Sequence, residues 1–270
     1  MSLRSPSPLR AVALALLVSS LAGCIDYRER LTLREDGSGT LVVDFVVDLG
    51  IMQTVARLVG DEPDPEDSKG PTADEIRAGL DVKGVTIQEL TVDYKGTKTK
   101  VHAKVEFESL QALARIEGFG RDRSMAFYDN GDGKVRVIYG FDTRDVIPIE
   151  ELTDGSDDAE PDPTSKKILG LVERAQTQLT LRARVDLPGP VLKSNGDPVP
   201  DEPASSQWRI DQETDPKRQR VLGRGKVIMM LLCERSSVPF VTKLEPLPRD
   251  DPSEEPIEPR KPSLGDLGGE

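Results

Sequence analysis

Alternation of apolar and polar residues runs through most of the chain. Leu41, Val43, Phe45, Val47 and Leu49 are apolar in every second position, with Asp44 and Asp48 in the opposite phase. Period-two alternation over nine residues predicts a half-buried strand. Residues 30–34 alternate as well, and Glu35-Asp36-Gly37-Ser38-Gly39 between the two runs has turn composition. The pair predicts a hairpin of 28–34 with 40–48. A second hairpin is predicted for 84–94 with a strand carrying Val101, Ala103, Val105 and Phe107 on one face, around the turn 95–98. In its first strand Val85 and Ile87 share one phase, and Leu90, Val92 and Tyr94 the other. That switch near Gln88 and Glu89 predicts a β-bulge.

A third hairpin is predicted for 123–128 with 134–141 around Asp129-Asn130-Gly131-Asp132-Gly133, whose Asn-Gly and Asp-Gly dipeptides favour hairpin turns. Residues 178–187 predict another strand, with Leu179, Leu181, Ala183, Val185 and Leu187 on one face. Residues 226–233 are apolar on both faces, as expected of a strand central in its sheet. Helical signals are short. Ile51, Met52, Val55, Leu58 and Val59 follow helical spacing; Thr72 and Glu75 form a capping-box pattern opening 73–80; Ser109 can cap 110–117 and Thr164 can cap 165–175. Hairpins with single helices between them predict an α+β fold with an antiparallel or mixed β-sheet and a few short helices.

The first 24 residues follow a different logic. Arg4 and Arg10 are the only charges before residue 26, and an apolar run occupies 11–21. A basic n-region, a short apolar h-region and small residues at its end make a secretory signal. The run is too short to span a membrane. Leu21-Ala22-Gly23-Cys24 resembles a bacterial lipobox. That resemblance implies cleavage between Gly23 and Cys24 and lipidation of the Cys24 thiol. Ile25 follows the cysteine. An aspartate there would mark inner-membrane retention, so the resemblance implies the periplasmic face of the outer membrane in a double-membraned host, or the outer face of the plasma membrane otherwise. The second cysteine, Cys233, lies in an apolar run and reads as a buried core thiol.

Composition narrows the function. The 270 residues carry a net charge of −12, from 48 acids and 36 bases, and the aromatic share is 4%. A nucleic-acid binder needs a basic face, so no nucleic-acid partner is expected. Loss of residues 1–23, with two arginines and no acid, takes the charge from −12 to −14. Residues 60–71 hold five acids and one base, 150–162 hold seven acids and no base, and 245–270 hold six prolines, eight acids and three bases. Such composition buries too little apolar surface to offset ordering entropy. The organisation expected is a signal peptide at 1–23, one domain at 24–240 with mobile acidic loops at 60–71 and 150–163, and a disordered tail at 241–270.

No motif calls for chemistry. His102 is the only histidine; it sits on the Lys104 and Glu106 face of its strand, with no activating partner that sequence can name. Residues 129–133 lack the spacing and distal glutamate of a calcium loop. Gly37-Ser38-Gly39 has the wrong frame for a nucleophile elbow, and Gly223-Arg224-Gly225 lacks the lysine and hydroxyl of a phosphate loop. The expectation is a non-enzymatic protein with no catalytic residue, no cofactor and no metal.

Several short motifs point to one family. The segment LTLREDGSGTLVVDFVV at 31–47, Asp186-Leu187-Pro188-Gly189-Pro190, Ser194-Asn195-Gly196 and Trp208 together resemble the bacterial envelope lipoproteins with an LppM-like domain. The resemblance covers 24 to about 237. It implies an α+β envelope domain with an apolar groove that accepts lipid or glycolipid. Members often end in a membrane helix, where this chain has its acidic tail. Three roles are weighed: a lipid-anchored protein that binds or handles lipid, a lipid-anchored adaptor for an envelope protein partner, and an envelope hydrolase.

Overall fold

The computed structural model describes residues 26–58, 70–116, 123–142, 166–167, 170–171, 178–219, 222 and 226–246. The signal segment, most of the two acidic loops, most of 165–175, Gly223-Arg224-Gly225 and residues 247–270 lie outside them.

The strands in chain order are β1 (Asp26–Leu33), β2 (Gly39–Asp48), β3 (Val85–Lys95), β4 (Lys98–Phe107), β5 (Arg123–Asp129), β6 (Lys134–Asp142), β7 (Thr180–Asp186), β8 (Val191–Ser194), β9 (Asp197–Val199), β10 (Glu202–Ile210), β11 (Lys226–Glu234) and β12 (Glu245–Pro246). The α-helices with bounds among the described residues are α1 (Gly50–Leu58), α2 (Ala73–Leu80), α3 (Leu110–Leu113) and α4 (Pro216–Gln219), and a 3-10 turn spans Arg235–Ser237. This is the expected α+β class, with strands dominant and helices short. Two sheets form: one of seven strands in the order β3-β4-β2-β1-β7-β10-β9, and one of five in the order β12-β5-β6-β11-β8.

The three expected hairpins are present as β1–β2, β3–β4 and β5–β6. The bulge lies where the apolar phase switches, with the β3–β4 register shifting between Ile87 and Glu89. The turn after β5 places Gly131, Asp132 and Gly133 at positive φ, and Asp129 Oδ1 accepts from the Gly131 amide at 2.9 Å. These residues thus serve the hairpin. The Thr72–Glu75 capping box forms in full, whereas the helix after Ser109 ends at Leu113, short of the expected 117. β11 sits between β6 and β8 as its two apolar faces require. β12 falls inside the segment expected as tail and pairs with β5.

One core joins the sheets. Leu31, Leu41, Phe107, Val185 and Ile210 of the larger sheet meet Val137, Tyr139, Met229 and Leu231 of the smaller. Tyr27 and Phe141 touch edge to face across the interface, with ring centroids 5.9 Å apart. Glu29 is buried, and its carboxylate accepts the hydroxyls of Tyr27 and Tyr139. Asn195 ties β10 to β11: its Oδ1 accepts from Trp208 Nε1 at 2.9 Å and from the Met230 amide at 2.8 Å, and its Nδ2 donates to the Ile228 carbonyl at 3.0 Å.

Cys233 is buried, as expected, and unpaired. Burial, with Glu234 beside it, pushes its thiol up to about 11. Since the thiolate is the reactive form, native protein is expected to leave Cys233 unlabelled by maleimide at neutral pH. Denaturation is expected to expose it, and mass spectrometry with and without denaturant checks this.

Candidate functional site

Strand alternation that buries Leu31, Leu181 and Trp208 must turn the residues between them outward. On β1 those are Arg28 and Arg30; on β7, Arg182 and Arg184; on β10, Arg209. Register sets them side by side. Parallel pairing of β1 with β7 puts Arg28 opposite Arg182 and Arg30 opposite Arg184. Antiparallel pairing of β7 with β10 puts Arg209 on the other side of Arg182. The result is a three-arginine row, Arg28–Arg182–Arg209, with Arg30 and Arg184 in the next row. All five line a cleft of about 440 Å³ on the outer face of the seven-stranded sheet, with Asp44, Asp197 and Gln207 at its sides.

Carboxylates hold four of these arginines from beneath or from the ends. Asp186, 7% exposed, accepts from Arg30 Nε at 2.6 Å, Thr32 Oγ1 at 3.0 Å, Arg184 Nε at 2.7 Å and Ser205 Oγ at 2.6 Å. It therefore clamps β1, β7 and β10 together. Asp26 takes Arg28, and Asp211 takes Arg209 Nε at 2.6 Å. Asp211 also accepts the Thr214 hydroxyl and the amides of Glu213 and Thr214. Glu202 pairs with Arg184. Arg182 differs. Its Nε is buried with no hydrogen-bond partner among the described residues.

The same geometry governs titration. Burial acts to raise the Asp186 carboxyl, but the hydrogen bonds from Ser205, Arg184, Arg30 and Thr32 outweigh it and hold the group below its ordinary 3.8. The Thr214 hydroxyl above all, with Arg209, holds Asp211 lower still. A carboxyl depressed in the folded state stabilises the fold above its unfolded value, and that stability is lost as pH falls through the folded value. The melting temperature is expected to be level above pH ~5 and to drop below pH ~4. Asp186→Asn is expected to melt lower at neutral pH and to show a shallower acid drop; calorimetry across pH checks both.

Position 24, where lipidation is expected, and Gly23 before it lie outside the described residues. The first described residue, Asp26, opens β1 two positions later. His102 lies on β4, half-buried, with Nδ1 2.8 Å from Asp44 Oδ1 and Nε2 3.6 Å from Glu89 Oε2. The sequence named no partner for it; cross-strand pairing supplies two carboxylates. Among the described residues no group of three or more metal-ligating side chains gathers, and no helix is long and apolar enough to cross a membrane.

The arginine face escaped the sequence reading. Its only signal is the pair of short runs Arg28-Glu29-Arg30 and Arg182-Ala183-Arg184, each placing two arginines on the polar face of a strand. The resemblance implied an apolar groove, whereas this cleft is charged.

No family model matches the chain, and no curated protein matches it. Among solved structures it is similar to the NMR structure of the folded domain of Mycobacterium tuberculosis LppM. The two share 16% identity over 78% of this chain and 89% of that one, with a TM-score of 0.40.

Proposed function

We propose that this chain is a lipid-anchored, non-enzymatic protein of the bacterial cell envelope that binds or handles an anionic lipid or glycolipid at its arginine face. The observation that carries the reading is one of position. Leu21-Ala22-Gly23-Cys24 closes a signal segment, and the first strand of the folded body starts at Asp26. Acyl chains on Cys24 would therefore hold the body against the bilayer with almost no tether. Several chains on one residue give durable anchoring, since each buried CH₂ contributes about 0.8 kcal/mol.

The five arginines support the binding half of the proposal. Guanidinium forks match the geometry of phosphate and carboxylate oxygens. The non-enzymatic half draws support from His102, whose two ring nitrogens both face carboxylates rather than a hydroxyl to be activated. Without an aspartate after Cys24, the place proposed is the periplasmic face of an outer membrane, or the outer face of the plasma membrane in a single-membraned host.

Expression of the full chain in a bacterial host tests the anchor. Intact mass is expected to show a mature protein starting at Cys24 with a diacylglyceryl thioether, partitioning into the detergent phase. Cys24→Ala is expected to remain unacylated and to leave that phase. A mature wild-type chain that starts elsewhere, or carries no acyl group, would overturn the reading.

A further inference from the structure

We infer that the row Arg28–Arg182–Arg209 docks the phosphate groups of anionic lipid headgroups in the same bilayer that holds Cys24. The inference rests on the anchor reading above and names the ligand of its arginine face.

Three adjacent strands present the row, and neighbouring strands lie about 4.8 Å apart, so three guanidinium stems stand within about 10 Å. Like charges so placed repel unless something offsets them. Asp26 offsets Arg28 at one end and Asp211 offsets Arg209 at the other. The middle is not offset in the same way. The Arg182 side chain makes no hydrogen bond or ion pair with any described residue, and its Nε is buried. Its charge reaches Asp26 only through space. A buried donor without a partner is costly, and an anionic oxygen entering the cleft would relieve that cost.

The neighbouring arginines keep donors free for the same anion. Arg209 and Arg30 meet their carboxylates through Nε, at 2.6 Å each. Neither side chain donates another hydrogen bond among the described residues, which leaves both terminal nitrogens of each uncommitted. Three or more guanidinium groups lining one cleft suit a tetrahedral phosphate, and the cleft of about 440 Å³ leaves room for the rest of a headgroup. Gln207 at its side can donate to or accept from a hydroxyl.

Position selects the membrane over a soluble phosphate. Arg28 is four residues from Cys24, and four extended residues span at most about 14 Å. The row therefore lies within reach of the headgroup layer whenever Cys24 is inserted. The chain as a whole is acidic, at −12. That charge repels an anionic surface only over a Debye length of about 8 Å at physiological salt, so the groups nearest the bilayer dominate.

The test uses the whole mature chain, residues 24–270, with Cys24→Ser so that no acyl chain carries it to the bilayer. It is sedimented with vesicles of phosphatidylcholine alone and of phosphatidylcholine mixed with phosphatidylglycerol, at low and high salt. Trp208 is the only tryptophan and lines the cleft, so its emission reports occupancy in parallel, with inorganic phosphate and glycerol phosphate as soluble probes. Binding to the phosphatidylglycerol vesicles alone is expected, weakened by salt and about tenfold by Arg182→Gln, the size of one good charged hydrogen bond. Lys134→Gln, the same charge change on the five-stranded sheet, is expected to bind as the parent does. Thermal melts confirm folding, and Arg209→Gln, at an exposed position, replaces Arg182→Gln if the latter does not fold.

Equal binding by parent and folded arginine variants would overturn the inference, as would equal binding to both vesicle types. A Trp208 response to glycerol phosphate without vesicle binding would overturn it in favour of a soluble phosphorylated ligand. An acylated Cys24 with no vesicle preference would overturn it while leaving the anchor reading intact. An unacylated Cys24 would overturn that reading and, with it, the inference.

Discussion

Gly39→Ala is expected to cost about 4 kcal/mol, which is exceptional for one methyl group. Gly39 opens β2 opposite Leu33 of β1 and Phe107 of β4. A Cβ there would lie 2.1 Å from the Thr32 carbonyl oxygen and 2.4 Å from Phe107 Cζ. The first obstacle is backbone and cannot swing aside; the second is a ring in the core, 2% exposed. Relief would require parting β1 from β2 or driving Phe107 out of its place. Overpacking usually costs 1–3 kcal/mol, and here both neighbours resist. Domains have about 5–15 kcal/mol in total, so urea unfolding is expected to show a much lower midpoint and expression to fall. Gly96 offers the contrast: it has positive φ, but a methyl added there would meet nothing within 4 Å. Gly96→Ala is expected to cost only about 1–2 kcal/mol, from backbone conformation alone. Two variants of similar cost would refute the argument from close approach.

Asn195→Ala is expected to cost about 3–4 kcal/mol, for a different reason. The amide is the shared partner of three groups: the Trp208 indole N–H, the Met230 amide and the Ile228 carbonyl. Trp208 is 2% exposed, so its N–H would be left in the core without an acceptor. Each buried group left unsatisfied costs about 1–3 kcal/mol. Water entering the vacated space softens the sum. The change also cuts a tie between the sheets, so hydrogen exchange is expected to quicken in both β10 and β11. An effect confined to one strand, or a cost under 1 kcal/mol, would show that Asn195 joins nothing essential.

How legible these features are depends on the range of the interaction that makes them. The hairpins can be read because alternation and turn dipeptides are local. Even the β3 bulge shows, since a skipped residue reverses the apolar phase at Gln88 and Glu89. By contrast β8, β9 and β10 carry little alternation and include Pro198 and Pro203. Their places come from pairing: β10 with β7, β9 with β10, and β8 with β11. The parallel pairing of β1 with β7 joins residues 154 apart in sequence, as in Asp26 with Thr180. No periodicity foretells it. The arginine face depends wholly on that pairing, so its components were visible and their meeting was not. Cys24 is the reverse case, read from a contiguous motif and lying outside the described residues.

The long-range pairing of β1 with β7 also sets an order of events during synthesis. A chain that emerges from the ribosome amino end first delivers β1 early and β7 late. The β1–β2, β3–β4 and β5–β6 hairpins close locally and can form as they emerge, whereas contacts of high sequence separation form slowly. Until residue 180 arrives, the far edge of β1 is an open strand edge, the kind that pairs with neighbouring chains. The arginine face is thus completed only when β10, with Arg209, follows β7. A chain stopped before residue 180 would carry Arg28 and Arg30 paired to β2 but with none of their β7 partners, and synthesis itself would time when the arginine face first assembles.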